Sequence, residues 1–86
     1  MKEWTLEFIA EVERLAEHVV SFEGMTLIDV EFHRGPGGWV LRVFIDKPEG
    51  VTLEDCAAVS RQLGDVLDAK LERDEPYHLE VSSPGL

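Results

Sequence analysis

Phe8, Ile9, Val12, Leu15, Ala16 and Val19 recur three and four residues apart and lay one apolar stripe along residues 5–21. That is the period of a helix with one buried side. Glu7, Glu11 and Glu13 fall on the wetter side, Thr5 is placed to cap the start, and Gly24 is placed to end it. From residue 26 the period drops to two. Ile28, Val30 and Phe32 point one way and Asp29, Glu31 and His33 the other, so residues 26–34 read as a strand with one packed face. Gly35-Pro36-Gly37-Gly38 reads as a hairpin loop. In the strand after it, residues 39–46, Trp39, Leu41, Val43 and Ile45 share one face, and Val40, Arg42 and Phe44 share the other. An aromatic on the outer side predicts that this second face is not fully bare.

Lys47-Pro48-Glu49-Gly50 breaks the pattern, and Thr52 caps a second helix with Glu54 and Asp55 in its first turn. Its expected span is 53–69, with Leu53, Cys56, Ala57, Ser60, Leu63, Gly64 and Leu67 facing inward. So many small residues let a helix sit close to a sheet. A charged connector, residues 71–76, leads into a last strand in which Tyr77, Leu79 and Val81 alternate with polar positions. The order is α-β-β-α-β. A hairpin makes the first two strands antiparallel, and a crossover through a helix is right-handed. The predicted fold is a two-layer α+β sandwich. Its three-stranded mixed sheet has the order 2-1-3, strand one in the middle, and both helices lie on one face.

Eighty-six residues make one domain, and a chain this short buries only roughly 60% of its unfolded surface. The third strand is expected to end at about 83, and Ser82-Ser83-Pro84-Gly85 punctuates it. A chain turns because something follows. Residues 1–86 therefore read as one domain of a longer protein, or as a short relative whose second domain is missing. The single Cys56 permits no internal disulfide and fits a reducing compartment. Acids follow Met1 at once, which is not how a signal peptide begins, and no apolar run approaches the ~20 residues of a membrane span. The expectation is a soluble, cytoplasmic protein.

Charge changes the picture most. The formal net charge is −10, with −4 on residues 1–24, −1 on 25–50 and −5 on 51–86. Such a field repels phosphate backbones and attracts basic surfaces. Direct nucleic-acid binding is disfavoured and a basic protein is the natural partner; the plainer alternative is that acidity only keeps the chain soluble.

Motifs for chemistry are absent. The glycine loop has G-x-x-G spacing, yet it joins two strands where the RNA-clamping loop of KH domains joins helices. No Lys-Ser/Thr follows it, so it is no phosphate-binding P-loop. Cys56, His18, His33 and His78 lie at no paired metal-ligand spacing, and Cys56 on an inner stripe behaves as a small hydrophobe. Asp29 with Glu31, Glu54 with Asp55, and Asp65 with Asp68 are carboxylate pairs of the kind a solvated acidic face produces by chance. Ser82 and Ser83 sit in no nucleophile elbow. Neither catalytic residues, a metal nor a cofactor is expected. Trp4 is either a docking spot or a lid over the helix start, and Phe44 is a second candidate docking spot.

The segment Tyr77-x-Leu79-Glu80-Val81-Ser82-Ser83-Pro84-Gly85-Leu86 resembles the hallmark junction of the ribosome maturation factor RimP family. Leu27-x-x-Val30-Glu31-Phe32, Leu41-Arg42-Val43-Phe44-Ile45-Asp46 and Val51 to Ser60 resemble its first strand, second strand and second helix, in the right order. The resemblance implies an α-β-β-α-β N-terminal domain and, after a linker beginning at residues 84–86, an SH3-like C-terminal domain that this sequence lacks. It also implies a non-enzymatic factor that binds the small (30S) ribosomal subunit and assists its late assembly. Taken with the charge, it makes Asp46, Glu54, Asp55, Asp65 and Asp68 the candidate contacts to a basic ribosomal protein, and Ser82 to Leu86 the interdomain segment. Two rivals are a module contacting rRNA directly and a folding helper like protease pro-domains, whose exported chain would need a signal that is not seen here.

Overall fold

The computed structural model of the chain describes residues 6–70 and 77–84. The elements run α1 (Leu6–Phe22), β1 (Thr26–Gly35), β2 (Gly38–Asp46), α2 (Leu53–Lys70) and β3 (Tyr77–Ser82). The α+β class, the α-β-β-α-β order and the mixed three-stranded sheet are as expected from the sequence. The expected cap at Thr5, Trp4, the connector 71–76, Gly85 and Leu86 lie outside the described residues.

α1 stops where its backbone turns left-handed. Gly24 has φ 78°; its N–H donates to Ser21 O at 2.9 Å, and that of Met25 donates to Val20 O at 3.0 Å. These bonds use two carbonyls that the helix end would otherwise leave unpaired, and Met25 and Val20 are both buried in the core. A residue with a Cβ pays strain at that φ.

The sheet order is β1-β2-β3, which corrects the predicted 2-1-3 arrangement. β1 pairs antiparallel with β2 from Thr26↔Asp46 to Gly35↔Gly38, and β3 pairs parallel with β2 from Trp39↔Tyr77 to Phe44↔Ser82. The physical reason lies in β2. It is the strand with apolar residues on both faces, and a strand with neighbours on both edges has both rows of side chains screened. No residue of β2 before Asp46 is fully exposed, whereas β1 exposes Ile28, Asp29, His33 and Arg34. α2 then returns the chain to the position directly beside β2, where β3 pairs parallel with it.

A second correction concerns Ile28. The register of β1 slips between Leu27 and Asp29. A bulge puts two residues opposite one and reverses the alternation beyond it. Leu27, opposite Ile45, joins the core margin, and Ile28 is 50% exposed. The inner stripe of α2 also differs in part from expectation. Cys56, Val59, Leu63 and Leu67 are buried, while Leu53 and Ala57 are exposed. Leu53 occupies the first turn and is 80% exposed. The core joins Val12, Ala16 and Val20 of α1, the α2 stripe, and Leu41, Val43 and Ile45 of β2, with Leu79 and Val81 at its margin.

Candidate functional site

The start of α2 is built from a reciprocal cap. The Asp55 N–H donates to Thr52 Oγ1 at 3.1 Å, and the Thr52 N–H donates to Asp55 Oδ2 at 2.9 Å. The same carboxylate oxygen receives Lys47 Nζ at 2.9 Å. The Thr52 backbone bond first, then the Lys47 ammonium, holds the Asp55 carboxyl below the usual range, and the bond to Asp55 raises Lys47. Of the predicted contact acids, Asp55 is thus the one already engaged within the fold. A group with a depressed folded pKa contributes stability above its unfolded pKa, and the contribution is lost as pH falls through the folded value. Wild type should therefore lose stability relative to Asp55→Asn as pH drops below the ordinary 3.8, with the two curves parallel above it. Urea midpoints measured on both sides of that pH check this; parallel curves throughout would detach Asp55 from the cap.

Glu54, Arg61, Asp65 and Asp68 are all exposed and follow one another at spacings of seven, four and three. That spacing aligns them on the ridge of α2 opposite Cys56, Val59 and Leu63. Arg61 interrupts the acids. Asp46 is exposed at the end of β2, beside the start of α2, whereas Asp65 lies ten residues beyond Asp55, about 15 Å along the helix. The structure places Asp46, Glu54 and Asp55 at one end of the molecule and Asp65 and Asp68 toward the other.

The sheet face away from the helices carries ladders of polar side chains. Glu31, Arg42 and Glu80 stand in one row, with Arg42 Nε to Glu80 Oε1 at 2.9 Å, and Glu31 Oε1 meets His33 Nε2 at 2.8 Å. Phe44 does face this side, half-buried between Asp29 and Ser82. At the hairpin end the Arg34 guanidinium lies 5.1 Å from the centre of the Trp39 ring. β3 runs out beside the end of β2; Ser83 is buried and Pro84 exposed. The chain thus leaves next to Asp46 and the 47–52 loop.

An open concavity of about 520 Å³ lies at that end, lined by Thr26, Ile28, Asp46, Lys47, Pro48 and Gly50. The sequence pattern missed Ile28 here, because nothing in its alternation marks the bulge. A smaller cleft of about 260 Å³ between the helices is lined by Arg14, Leu15, His18, Val19, Val66 and Lys70. Cys56 is buried, and burial pushes its thiol up, away from the reactive thiolate. Among the described residues no group of three or more His, Cys, Asp and Glu is placed to hold a metal, and no helix is long and apolar enough to cross a membrane.

Two helices on one face of a mixed sheet, with carboxylates spread over the opposite ridge and one end, define a small acidic α+β sandwich domain. Residues 15–86 match the family described as the RimP N-terminal domain. The chain belongs to that family, one of ribosome maturation factors.

Proposed function

We propose that the protein is a non-enzymatic assembly factor that binds the small (30S) ribosomal subunit in the cytoplasm and assists its maturation, with this acidic domain docking on a basic ribosomal protein. In the whole protein, the segment after Ser82 leads into an SH3-like domain. The observation that carries this is membership of a ribosome maturation family by a domain of net charge −10. A polyanionic domain gains nothing from approaching bare phosphate and is steered toward cationic protein at long range. Asp46, Glu54, Asp65 and Asp68 present exposed carboxylates to such a surface.

The test is binding to purified small subunits across a salt series, beside rRNA freed of protein. The expected result is affinity for subunits that falls steeply with salt, by roughly tenfold or more between low and near-physiological salt, and no measurable affinity for the naked rRNA. Equal affinity for subunits and protein-free rRNA would transfer the function to direct RNA contact.

A further inference from the structure

Four large apolar side chains are strongly exposed among the described residues: Leu6 at 84%, Phe22 at 77%, Ile28 at 50% and Leu53 at 80%. The topology gathers three of them. α1 ends at Phe22, β1 begins at Thr26 opposite Asp46, and α2 begins at Leu53, so Phe22, Ile28 and Leu53 all belong to one end of the sandwich. Leu6 starts α1 at the other end. The bulge that expels Ile28 from the core turns it into the wall of the open concavity beside Pro48.

Charge concentrates at the same end. Residues 22–29 and 46–55 hold six acids, Glu23, Asp29, Asp46, Glu49, Glu54 and Asp55, against Lys47 alone, a net −5 and half the charge of the whole chain. Lys47, which also lines the concavity, is paired with the Asp55 carboxylate. The hairpin end, residues 33–40, holds Arg34 and no acid. Within the β1–β2 hairpin the charge is therefore polarised along the strands, while Asp65 and Asp68 stand toward the other end of α2.

We propose that this end, centred on the concavity beside Ile28, is the docking surface for a cationic segment of a partner protein that carries an aliphatic anchor. The inference rests on the function proposed above and narrows it to one part of the surface. The aliphatic side chain enters between Ile28 and Pro48, and flanking lysines or arginines meet Asp46 and Glu49. A wholly apolar partner would strip water from those carboxylates without pairing them. Nucleic acid would set phosphate against them, and a second copy would set −5 against −5. Only a basic, apolar-bearing segment answers both features.

The test uses the protein with two probes: small subunits, and the ribosomal proteins extracted from them free of RNA. Three variants are compared, all at exposed positions and each first shown to melt near wild type: Ile28→Ser, Asp46→Lys with Glu49→Lys, and Asp65→Lys with Asp68→Lys on the α2 ridge. The double reversal at the concavity should weaken binding to both probes by roughly tenfold or more and flatten the salt dependence. Ile28→Ser should weaken it by about fivefold with the salt slope kept, and the ridge pair, which changes the net charge equally but away from the concavity, should weaken it by about twofold or less. Loss of binding in the ridge pair, with the concavity variants unaffected, overturns the assignment of this end and leaves the proposed function standing. Wild type binding neither probe overturns both. Self-association that Ile28→Ser abolishes in sedimentation equilibrium replaces the cationic partner with a second copy and overturns the proposal.

Discussion

Leu63→Ala is expected to lower the unfolding free energy by about 2–5 kcal/mol. Leu63 is 0% exposed, in the middle of the buried stripe of α2. Alanine is the better helix former, so the substitution leaves the local preference for helix intact and the loss reports burial and cavity alone. The neighbouring Gly64 faces the sheet, where an added Cβ would meet Leu79 Cδ2 at an ordinary contact distance of 3.9 Å. A domain of this size has a total stability of about 5–10 kcal/mol, so this one truncation consumes a large share of it. Urea denaturation followed by far-UV circular dichroism measures the change. A loss below about 1 kcal/mol would place Leu63 outside the core.

The helices were legible in the sequence because their causes are local. The three-and-four spacing from Phe8 to Val19 marks α1, and Gly24 ends it with two backbone bonds that a left-handed residue permits. Thr52 with Asp55 three residues on marks the start of α2. Strand order was less legible, because alternation tells which face is packed and not which strand lies beside which. The usable signal was Val40 and Phe44 on the far face of β2. Apolar residues on both faces suit a central strand, and that is where β2 lies. Ile28 escaped because a bulge is a property of the pair β1–β2, not of β1 alone. In α2 the expected stripe holds at Cys56, Leu63 and Leu67, but it includes exposed Leu53 and Ala57 and leaves out buried Val59. Leu53 and Ala57 fit a helical period as well as Val59 does, and only the position of the sheet beneath decides between them.

The acids show the same division. Composition reveals their excess, and helical spacing alone aligns Glu54, Asp65 and Asp68. That Asp55 is held by Lys47 depends on how the 47–52 loop folds back. That Asp46 and Glu49 share one end with Ile28 follows from the pairing of Thr26 with Asp46, a contact between residues twenty apart. Segment charges hid this polarisation, because residues 25–50 sum to −1 while Arg34 and the acids Asp46 and Glu49 sit at opposite ends of the hairpin.

Two adjacent substitutions in β2 test both the packed face and the strand order. Val43 is 0% exposed and stands between Val30 of β1 and Val81 of β3, facing the helices. Val43→Asp sets a carboxylate in the apolar core cluster. The cost, above about 4 kcal/mol, is most or all of the stability of a domain this small, so no folded population is expected. The next residue, Phe44, lies on the open face in a row with Asp29 and Ser82 and is half-buried. Phe44→Ser removes apolar area that water already reaches in part, and about 1–2 kcal/mol is expected. Dispersion of amide resonances and the urea midpoint separate the two. A folded Val43→Asp protein with a near-normal midpoint would put β2 at an edge of the sheet with this face uncovered. Equal collapse of both variants would mean that a second layer, and not solvent, covers the open face.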